Sequence, residues 1–432
     1  MTTTEPSAQR VRAGEAEAFS ALGRWLLVAG VAAAMVTPRI AIGGIHLGAS
    51  DVLGVLGSCC WLTSWIIART RPTPVGVARW PLLAVGAGVI SLAASGDPKS
   101  SVVGIVELIG IWVLPTLAVA GLFDTDAWRR RLLAGVSAGA LVAAATNVLA
   151  GLRIGFHDGL PQVWGAADGW QGYYQVCALA IAAPMLVEAL GRGRMQAVVG
   201  WSGAIALHAS ALLLTQTRGA WVAVIAVAAV LGLMWRRAFA VSVGLLATIG
   251  ILVALGTVWG SVVRDRLLSV FHPEASLSGF DSSVIRAGLA LTAVNMFLHH
   301  PLTGIGLKCF PLALPYYAPT GLPLAVEMGP GQVLIPIQGP HSTYLSLLSE
   351  AGIVGAVAIV GWVASSWLRA LRWSRSQSGD VGRRRVYGAS LCGVITAIAV
   401  SNLFSEMNAS GSLPFVAFLA LGGSLTADVE RR

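Results

Sequence analysis

Charged side chains are scarce in this chain: Asp, Glu, Lys and Arg make up only 11% of its 432 residues, whereas 56% are hydrophobic. A soluble domain carries many more charges on its surface, so this scarcity and the mean hydropathy of +0.74 exclude a soluble globular protein. Together they predict an all-α, polytopic integral membrane protein, because an apolar run of about 20 residues crosses a bilayer as a helix.

Apolar runs of that length recur along the chain and predict about twelve transmembrane helices. We place them at 20–38, 50–68, 80–95, 102–123, 132–151, 173–190, 197–215, 219–235, 239–262, 343–368, 387–405 and 409–426. The predicted organisation is a polar tail (1–19) that we expect to be disordered, nine helices (20–262), a large segment (263–342), three helices (343–426) and a short tail (427–432). We see no cleavable signal peptide.

Basic residues are unevenly distributed between the two sides of this predicted topology. One side holds 21 of the 29 Lys and Arg residues, including both tails, and basic segments are expected in the cytoplasm. Both termini are therefore predicted to be cytoplasmic and the 263–342 segment to be outside. We attribute the net charge of +9 mainly to this topology. We expect membrane lipids as partners and no nucleic acid. The eight outer basic residues are Arg39, Lys99, Arg153, Arg218, Arg264, Arg266, Arg286 and Lys308.

Metal-binding and disulfide patterns are lacking. Four of the five cysteines fall within predicted spans, and their spacing fits neither a disulfide framework nor a metal site. The 263–342 segment has no Asp-x-Asp or comparable carboxylate cluster. We therefore expect no metal and no cofactor.

The 263–342 segment is predicted to contain an amphipathic helix followed by an irregular lid. Asp281, Ser282 and Ser283 offer N-cap side chains, and Pro301 would end the helix near His299. Its apolar residues are sufficient for the helix to lie against the membrane bundle. The glycines and prolines between 304 and 340 predict an ordered lid without regular structure.

Two polar residues stand at predicted helix ends on the outer side. Arg218 lies between two apolar runs, where an arginine usually faces a cavity, a partner or a charged substrate. His341 precedes the tenth span, where a helix N-terminus would favour its neutral, basic form. Each of these residues, and Arg286, also has a simpler explanation when taken singly. Arg218 could snorkel to the interface, Arg286 could be an ordinary exposed residue, and His341 could cap a helix.

Four polar residues lie within the predicted spans. For these we expect mainly interhelical hydrogen bonding: Glu107, Asn147, His208 and Glu350.

Four short motifs in register give the polar residues a common context. Thr-x-x-Arg-Gly-Ala at 215–220, Ser283-x-x-Arg286, Pro301-x-x-Gly304-x-Gly306, and His341-x-x-Tyr344-Leu345 with Glu350-x-Gly352 resemble the signature of the O-antigen ligase and polymerase superfamily. The resemblance covers about residues 210–355. The chain departs from the family pattern at Ser342, where many members carry Asn, and at Gln175, where an Asn-containing motif is common.

The resemblance implies an inner-membrane glycosyltransferase that uses a glycan linked to undecaprenyl diphosphate as donor and works at the periplasmic face. It implies that Arg218 and Arg286 bind the diphosphate and that His341 is the general base. Arg39 is our candidate for a third phosphate ligand, and Tyr344, from the histidine motif, for a further substrate contact. A single in-line attack would invert the anomeric centre.

Several functions share these features. One principal outer segment with short neighbours favours an O-antigen ligase, which transfers to the lipid A core, over a polymerase, which transfers to another lipid-linked glycan. The short C-terminal tail argues against a transferase that modifies protein serines. Two non-enzymatic functions remain as alternatives to these transferases. A secondary transporter should show repeated halves and ionisable residues near the bilayer midplane, and a flippase for lipid-linked glycans needs access from both faces of the membrane.

Overall fold

The computed structural model describes residues 5–34, 36, 39–42, 45–69, 75–154, 168–215, 217–234, 282–322, 325–327, 334–336, 339–376, 381–405 and 412–425. Within these ranges the chain is α-helical, as predicted, apart from two short antiparallel ribbons and the connecting turns.

The first part of the chain forms helices α1 to α9. These are α1 (Glu5–Ala33), α2 (Ala49–Ala68), α3 (Arg79–Leu92), α4 (Pro98–Glu107), α5 (Leu114–Leu122), α6 (Asp126–Ile154), α7 (Asp168–Gly191), α8 (Met195–Leu214) and α9 (Arg218–Met234). A π-helical stretch, Leu108–Val113, joins α4 to α5, so that the two form one continuous span. Strands β1 (Arg39–Ile42) and β2 (Ile45–Gly48) pair between α1 and α2, and a 3₁₀ turn, Val75–Val77, precedes α3.

The second part contains five more helices in the described residues. These are α10 (Ser282–His299), α11 (Phe310–Tyr317), α12 (Thr343–Arg375), α13 (Val381–Phe404) and α14 (Leu413–Ser424). Strands β3 (Ala325–Glu327) and β4 (Leu334–Pro336) pair between α11 and α12, with Val326 opposite Ile335.

Eight helical stretches in the described part of the chain are long and apolar enough to cross a membrane. They are Val11–Ala33, Ala49–Ala68, Pro98–Leu122, Asp126–Leu149, Gly172–Gly191, Met195–Leu213, Thr343–Arg375 and Arg384–Phe404. The apolar helices α3, α9 and α14 are shorter and coincide with three further predicted spans. The ninth predicted span, 239–262, lies outside the described residues. These helices support a multi-pass membrane protein, while the number twelve stays a prediction.

Two predictions about irregular segments are wrong. Residues 5–19, expected to be disordered, belong to α1, because their Ala, Glu, Gln and Arg residues favour a helix that continues into the apolar run. The proline-rich lid contains the helix α11. Pro311 is tolerated there because it lies in the first turn, where a backbone N–H has no intrahelical partner.

The helices pack around a core centred on α7, α12 and α13. Helix α13 contacts α7, α9, α12 and α14, while α12 also contacts α3 and the amphipathic helix α10. Trp362 of α12 and Phe415 of α14 are fully buried and meet in a T-shaped ring contact. This packing brings the ends of α7, α9, α12 and α13 close to one another.

Polar residues inside the bundle join neighbouring helices. Nδ1 of His208 in α8 lies 2.7 Å from Oε1 of Gln175 in α7, and Nε2 of Gln175 donates to the Ala140 carbonyl of α6. The expectation of interhelical hydrogen bonding is confirmed for His208. Gln175, one of the two departures from the family pattern, is part of the same link.

Candidate active site

Helix α10 forms a small second core with the segment that follows it. Its bounds, Ser282–His299, agree with the predicted helix. Leu289, Ala293 and Met296 are buried, and they pack with Phe310 and Leu314 of α11. Leu291, by contrast, is 50% exposed. Helix α10 also packs against α12, so that it is fixed to the membrane bundle.

The motifs Pro301-x-x-Gly304-x-Gly306 and Glu350-x-Gly352 form one backbone unit. The N–H of Ile305 donates to the Ser349 carbonyl, that of Gly306 to the Glu350 carbonyl, and that of Ile353 to the Pro301 carbonyl. Helix α12 is interrupted at Gly352 (φ 68°, ψ −165°), and this interruption frees the backbone groups of α12 that form these hydrogen bonds. Gly304 lies so close to the Glu350 backbone that a Cβ could not be accommodated. We call this unit the glycine junction.

Glu350 supports the glycine junction from within. Its carboxylate accepts hydrogen bonds from the backbone N–H groups of Phe310 and Lys308 and from the Ser346 side chain. The Lys308 ammonium pairs with Glu107 of α4. The expectation of interhelical hydrogen bonding is confirmed for Glu350, which binds the first residue of α11. Glu107 instead pairs with Lys308 in the connecting turn and so joins the 301–310 segment to the bundle.

His341 precedes α12 in a left-handed backbone conformation, with φ 53°. Ser342, and not His341, is the N-cap residue, and its Oγ accepts the N–H of Leu345. The Ser342 and Thr343 side chains donate to the Asn402 carbonyl (3.1 Å) and to Asn402 Oδ1 (2.7 Å), and the Thr343 N–H donates to the Ser405 carbonyl. The end of α13 therefore holds the backbone that presents His341.

The imidazole of His341 has a pKa below its ordinary value. The side chain is partly exposed, but the surrounding protein excludes enough water from the imidazole to disfavour its charged form. The positive charge of Arg286 lowers the pKa of His341 further. The expected direction is therefore found, with burial and Arg286 as its causes. Arg286 itself is exposed on α10, within electrostatic reach of the histidine.

Arg218 is the first residue of α9, in a tight connection between α8 and α9. The carbonyl of Thr217 accepts the N–H groups of Ala220 (3.0 Å) and Trp221 (3.3 Å), which starts the helix at Arg218. The side chain of Arg218 lies outside the described residues. Its neighbour Gly219 is packed against the Tyr173 hydroxyl and the Phe404 side chain, with no room for a Cβ.

Tyr173, at the start of α7, joins the parts of this site. Its hydroxyl lies against Gly219, next to Arg218, and the charge of Arg286 acts on it. The charge of Arg286 also acts on His341. At the end of α13, the Phe404 side chain contacts Gly219, and the Ser405 carbonyl accepts the N–H of Thr343. The backbone of Arg218 is thus brought to the neighbourhood of Arg286 and His341. Sequence reasoning missed Tyr173, although a tyrosine at the start of an apolar span is typical of a membrane interface.

The two further candidate residues have different positions. Tyr344 donates its hydroxyl to the Ala399 carbonyl (3.1 Å), and its ring faces a groove between α12 and α13. Arg39 begins strand β1 opposite Gly48, and its side chain lies outside the described residues. Among the residues that the structure describes, no group of three or more His, Cys, Asp or Glu side chains is placed to hold a metal ion. Metal independence stays a prediction.

The fold and the site define a polytopic α-helical membrane protein with a histidine within electrostatic reach of an arginine, near the ends of four helices. Residues 203–360 match the family model described as O-Antigen ligase, a range that includes Arg218, Arg286 and His341. This match supports membership of the chain in the O-antigen ligase and polymerase superfamily. The comparison with curated proteins gives no significant match.

Proposed function

We propose that this protein is an O-antigen ligase, which moves a glycan from undecaprenyl diphosphate to a hydroxyl group of the lipid A core oligosaccharide. The observation that carries the proposal is that His341, at the start of a helix, lies within electrostatic reach of Arg286 inside the region that matches the family, and that its pKa is lowered. A lowered pKa keeps the imidazole neutral near neutral pH, the form in which it accepts a proton.

The proposed reaction is a single displacement at the anomeric carbon of the donor. The acceptor hydroxyl gives its proton to His341 while its oxygen forms a bond to the anomeric carbon. The bond between that carbon and the diphosphate oxygen breaks with its electron pair, and undecaprenyl diphosphate leaves as the anion. Attack from the face opposite the leaving group inverts the anomeric configuration.

Negative charge grows on the diphosphate as this bond breaks, and arginines are suited to stabilise it. Guanidinium groups bind phosphate oxygens in bidentate fashion, and charge placed beforehand at the leaving group lowers the barrier. We assign this role to Arg286 and Arg218. The packing around Tyr173, which brings the backbone of Arg218 near Arg286, supports this assignment. Arg39 and Tyr344 are proposed as further donor contacts.

The proposal requires no metal ion, because the arginines supply the positive charge. Transfer is therefore expected to continue at the full rate in excess EDTA. Loss of transfer on chelation, restored by magnesium or manganese, would contradict the arginine mechanism.

We place the protein in the bacterial inner membrane, with its site at the periplasmic face and both termini in the cytoplasm. The charge distribution supports this orientation, since most basic residues fall on the opposite side from the 263–342 segment.

The test is glycan transfer by the purified protein, with each acceptor offered separately and without ATP. Labelled donor is incubated with lipid A core, with a second lipid-linked glycan, or with a serine-containing peptide. Product on the lipid A core alone supports the ligase, whereas product on the lipid-linked glycan alone assigns a polymerase. Because a detergent solution has no membrane sides, absence of covalent product with every acceptor would favour a transporter of lipid-linked glycans.

A further inference from the structure

Two arginines and two tryptophans form a cluster between α1 and the start of α6. The guanidinium carbon of Arg131 lies 4.2 Å from the ring centroid of Trp128 and 5.5 Å from that of Trp25. The two indoles meet in a T-shaped contact, with 5.3 Å between their centroids. The guanidinium carbon of Arg24 also lies 5.3 Å from the Trp128 ring. We call these four residues the arginine–tryptophan cluster.

The two arginines of the cluster differ in their polar partners. Arg24 donates from Nε to the Leu122 carbonyl (2.8 Å) and pairs with the Asp124 carboxylate at 3.8 Å. Arg131 is exposed, and among the residues that the structure describes it has no hydrogen bond and no carboxylate partner. The ring contacts hold its guanidinium group without supplying an acceptor for its five N–H donors. Arg131 is therefore a positioned cation whose donors are available to an anion.

The cluster lies at the end of a span, where phospholipid headgroups are found. The span formed by α6, Asp126–Leu149, begins shortly before Arg131, and Trp25 is 54% exposed, as is typical of tryptophans at headgroup level. Segment 124–131 and Arg24 together carry four arginines and two aspartates, a net charge of +2. This local charge attracts an anionic headgroup and repels the ammonium group of phosphatidylethanolamine.

An exposed apolar stripe leads from Arg131 into the span. Ala134, Ala138 and Val142 are exposed and follow Arg131 at intervals of three, four and four residues, the spacing of one helix face. From Arg131 to Val142 the stripe is about 16 Å long, at 1.5 Å per residue. This is about half of the roughly 30 Å hydrocarbon thickness, which is the depth of one leaflet. A lipid with its phosphate at Arg131 would therefore place an acyl chain along this stripe.

We propose that the arginine–tryptophan cluster binds the headgroup of an anionic phospholipid, with the phosphate on Arg131 and an acyl chain along the stripe. A guanidinium group binds two phosphate oxygens at once, which suits the available donors of Arg131. Free phosphate offers the same oxygens but gains nothing from the apolar stripe, so the lipid is the favoured source. The site involves neither His341 nor Arg286 and is independent of the proposed function.

Native mass spectrometry of the full-length protein in detergent tests this site. Delipidated protein is titrated separately with phosphatidylglycerol, phosphatidylethanolamine and inorganic phosphate, and the fraction with one ligand bound is measured. Wild-type protein should bind phosphatidylglycerol about tenfold more tightly than either of the others. Arg131→Gln should weaken phosphatidylglycerol binding by about fivefold, the usual effect of one basic residue near a membrane surface. Arg131→Lys keeps the charge but lacks the bidentate fork, so its affinity should be intermediate.

Arg194→Gln is the matched control, because Arg194 is exposed in the turn before α8 and has no ring contact within the described part of the chain. It removes the same charge and should leave the affinity for phosphatidylglycerol unchanged. Wild-type affinity in Arg131→Gln, or an equal loss in Arg194→Gln, would overturn the inference. Equal binding of phosphatidylethanolamine would also overturn it, and equal binding of inorganic phosphate would assign the site to a free anion. If Arg131→Gln does not fold, wild-type affinity in Arg131→Lys would overturn the bidentate contact.

Discussion

At the scale of single residues, His341 combines a left-handed backbone with the proposed role of general base. Asparagine tolerates a positive φ better than most residues but has no basic nitrogen, so His341→Asn tests the chemistry with little backbone strain. We expect turnover to fall by about 10²- to 10⁴-fold, the usual contribution of general base catalysis. Donor binding should stay near the wild-type value, as measured by titration of the same purified protein.

The neighbouring cap provides the control for this variant. Ser342→Ala removes the N-cap of α12 and should cost about 1 kcal/mol of stability. Turnover of the folded fraction should persist in that variant. If His341→Asn keeps wild-type turnover, another group or the acceptor itself supplies the base.

Arg286 is expected to contribute both charge and geometry, and two substitutions separate them. Its positive charge opposes protonation of His341 and so lowers the pKa of that residue. Arg286→Gln should therefore raise the pKa of His341 and move the acid limb of the pH–rate profile to higher pH. Arg286→Lys keeps the charge and should leave the limb in place, while turnover falls because lysine lacks the bidentate fork. If the acid limb does not move in Arg286→Gln, the charge of Arg286 does not affect the pKa of His341.

At the scale of elements, the glycine junction determines how the segment after α10 is attached to α12. At Gly352 the backbone is left-handed, and a Cβ would lie 2.5 Å from the Leu302 carbonyl oxygen. Gly352→Ala should therefore lower stability by about 1–3 kcal/mol or more, because a positive φ with ψ near 180° is essentially confined to glycine. Gly203→Ala is the control, since Gly203 lies within α8 with nothing near its missing Cβ. The melting temperature of Gly352→Ala should be clearly lower than that of Gly203→Ala. Equal melting temperatures would show that the glycine junction accommodates a side chain at position 352 without loss of stability.

The same elements show what sequence reasoning can and cannot reach. The bounds of α10 were predictable, because a cluster of N-cap side chains and Pro301 mark its two ends. The glycine junction was not, since it joins motifs about fifty residues apart through backbone hydrogen bonds that follow from tertiary packing. Tyr173 was missed for the same reason: only packing places it against Gly219. Helix α11 was missed because prolines were taken as signs of irregular structure.

At the scale of the whole molecule, the proposed function requires the His341 end of the bundle to face away from the cytoplasm. Single cysteines can test this in a variant whose five native cysteines are replaced. Tyr316, 83% exposed on α11, represents the 263–342 segment, and Met195, 68% exposed beside the basic connection of α7 and α8, represents the opposite side. Because arginines are retained in the cytoplasm, we expect an impermeant maleimide to label Tyr316→Cys in bacterial spheroplasts. Met195→Cys should react only after the membrane is permeabilised. The reverse pattern would place the diphosphate site in the cytoplasm, and a periplasmic ligase would then be excluded even if the purified protein transfers glycan.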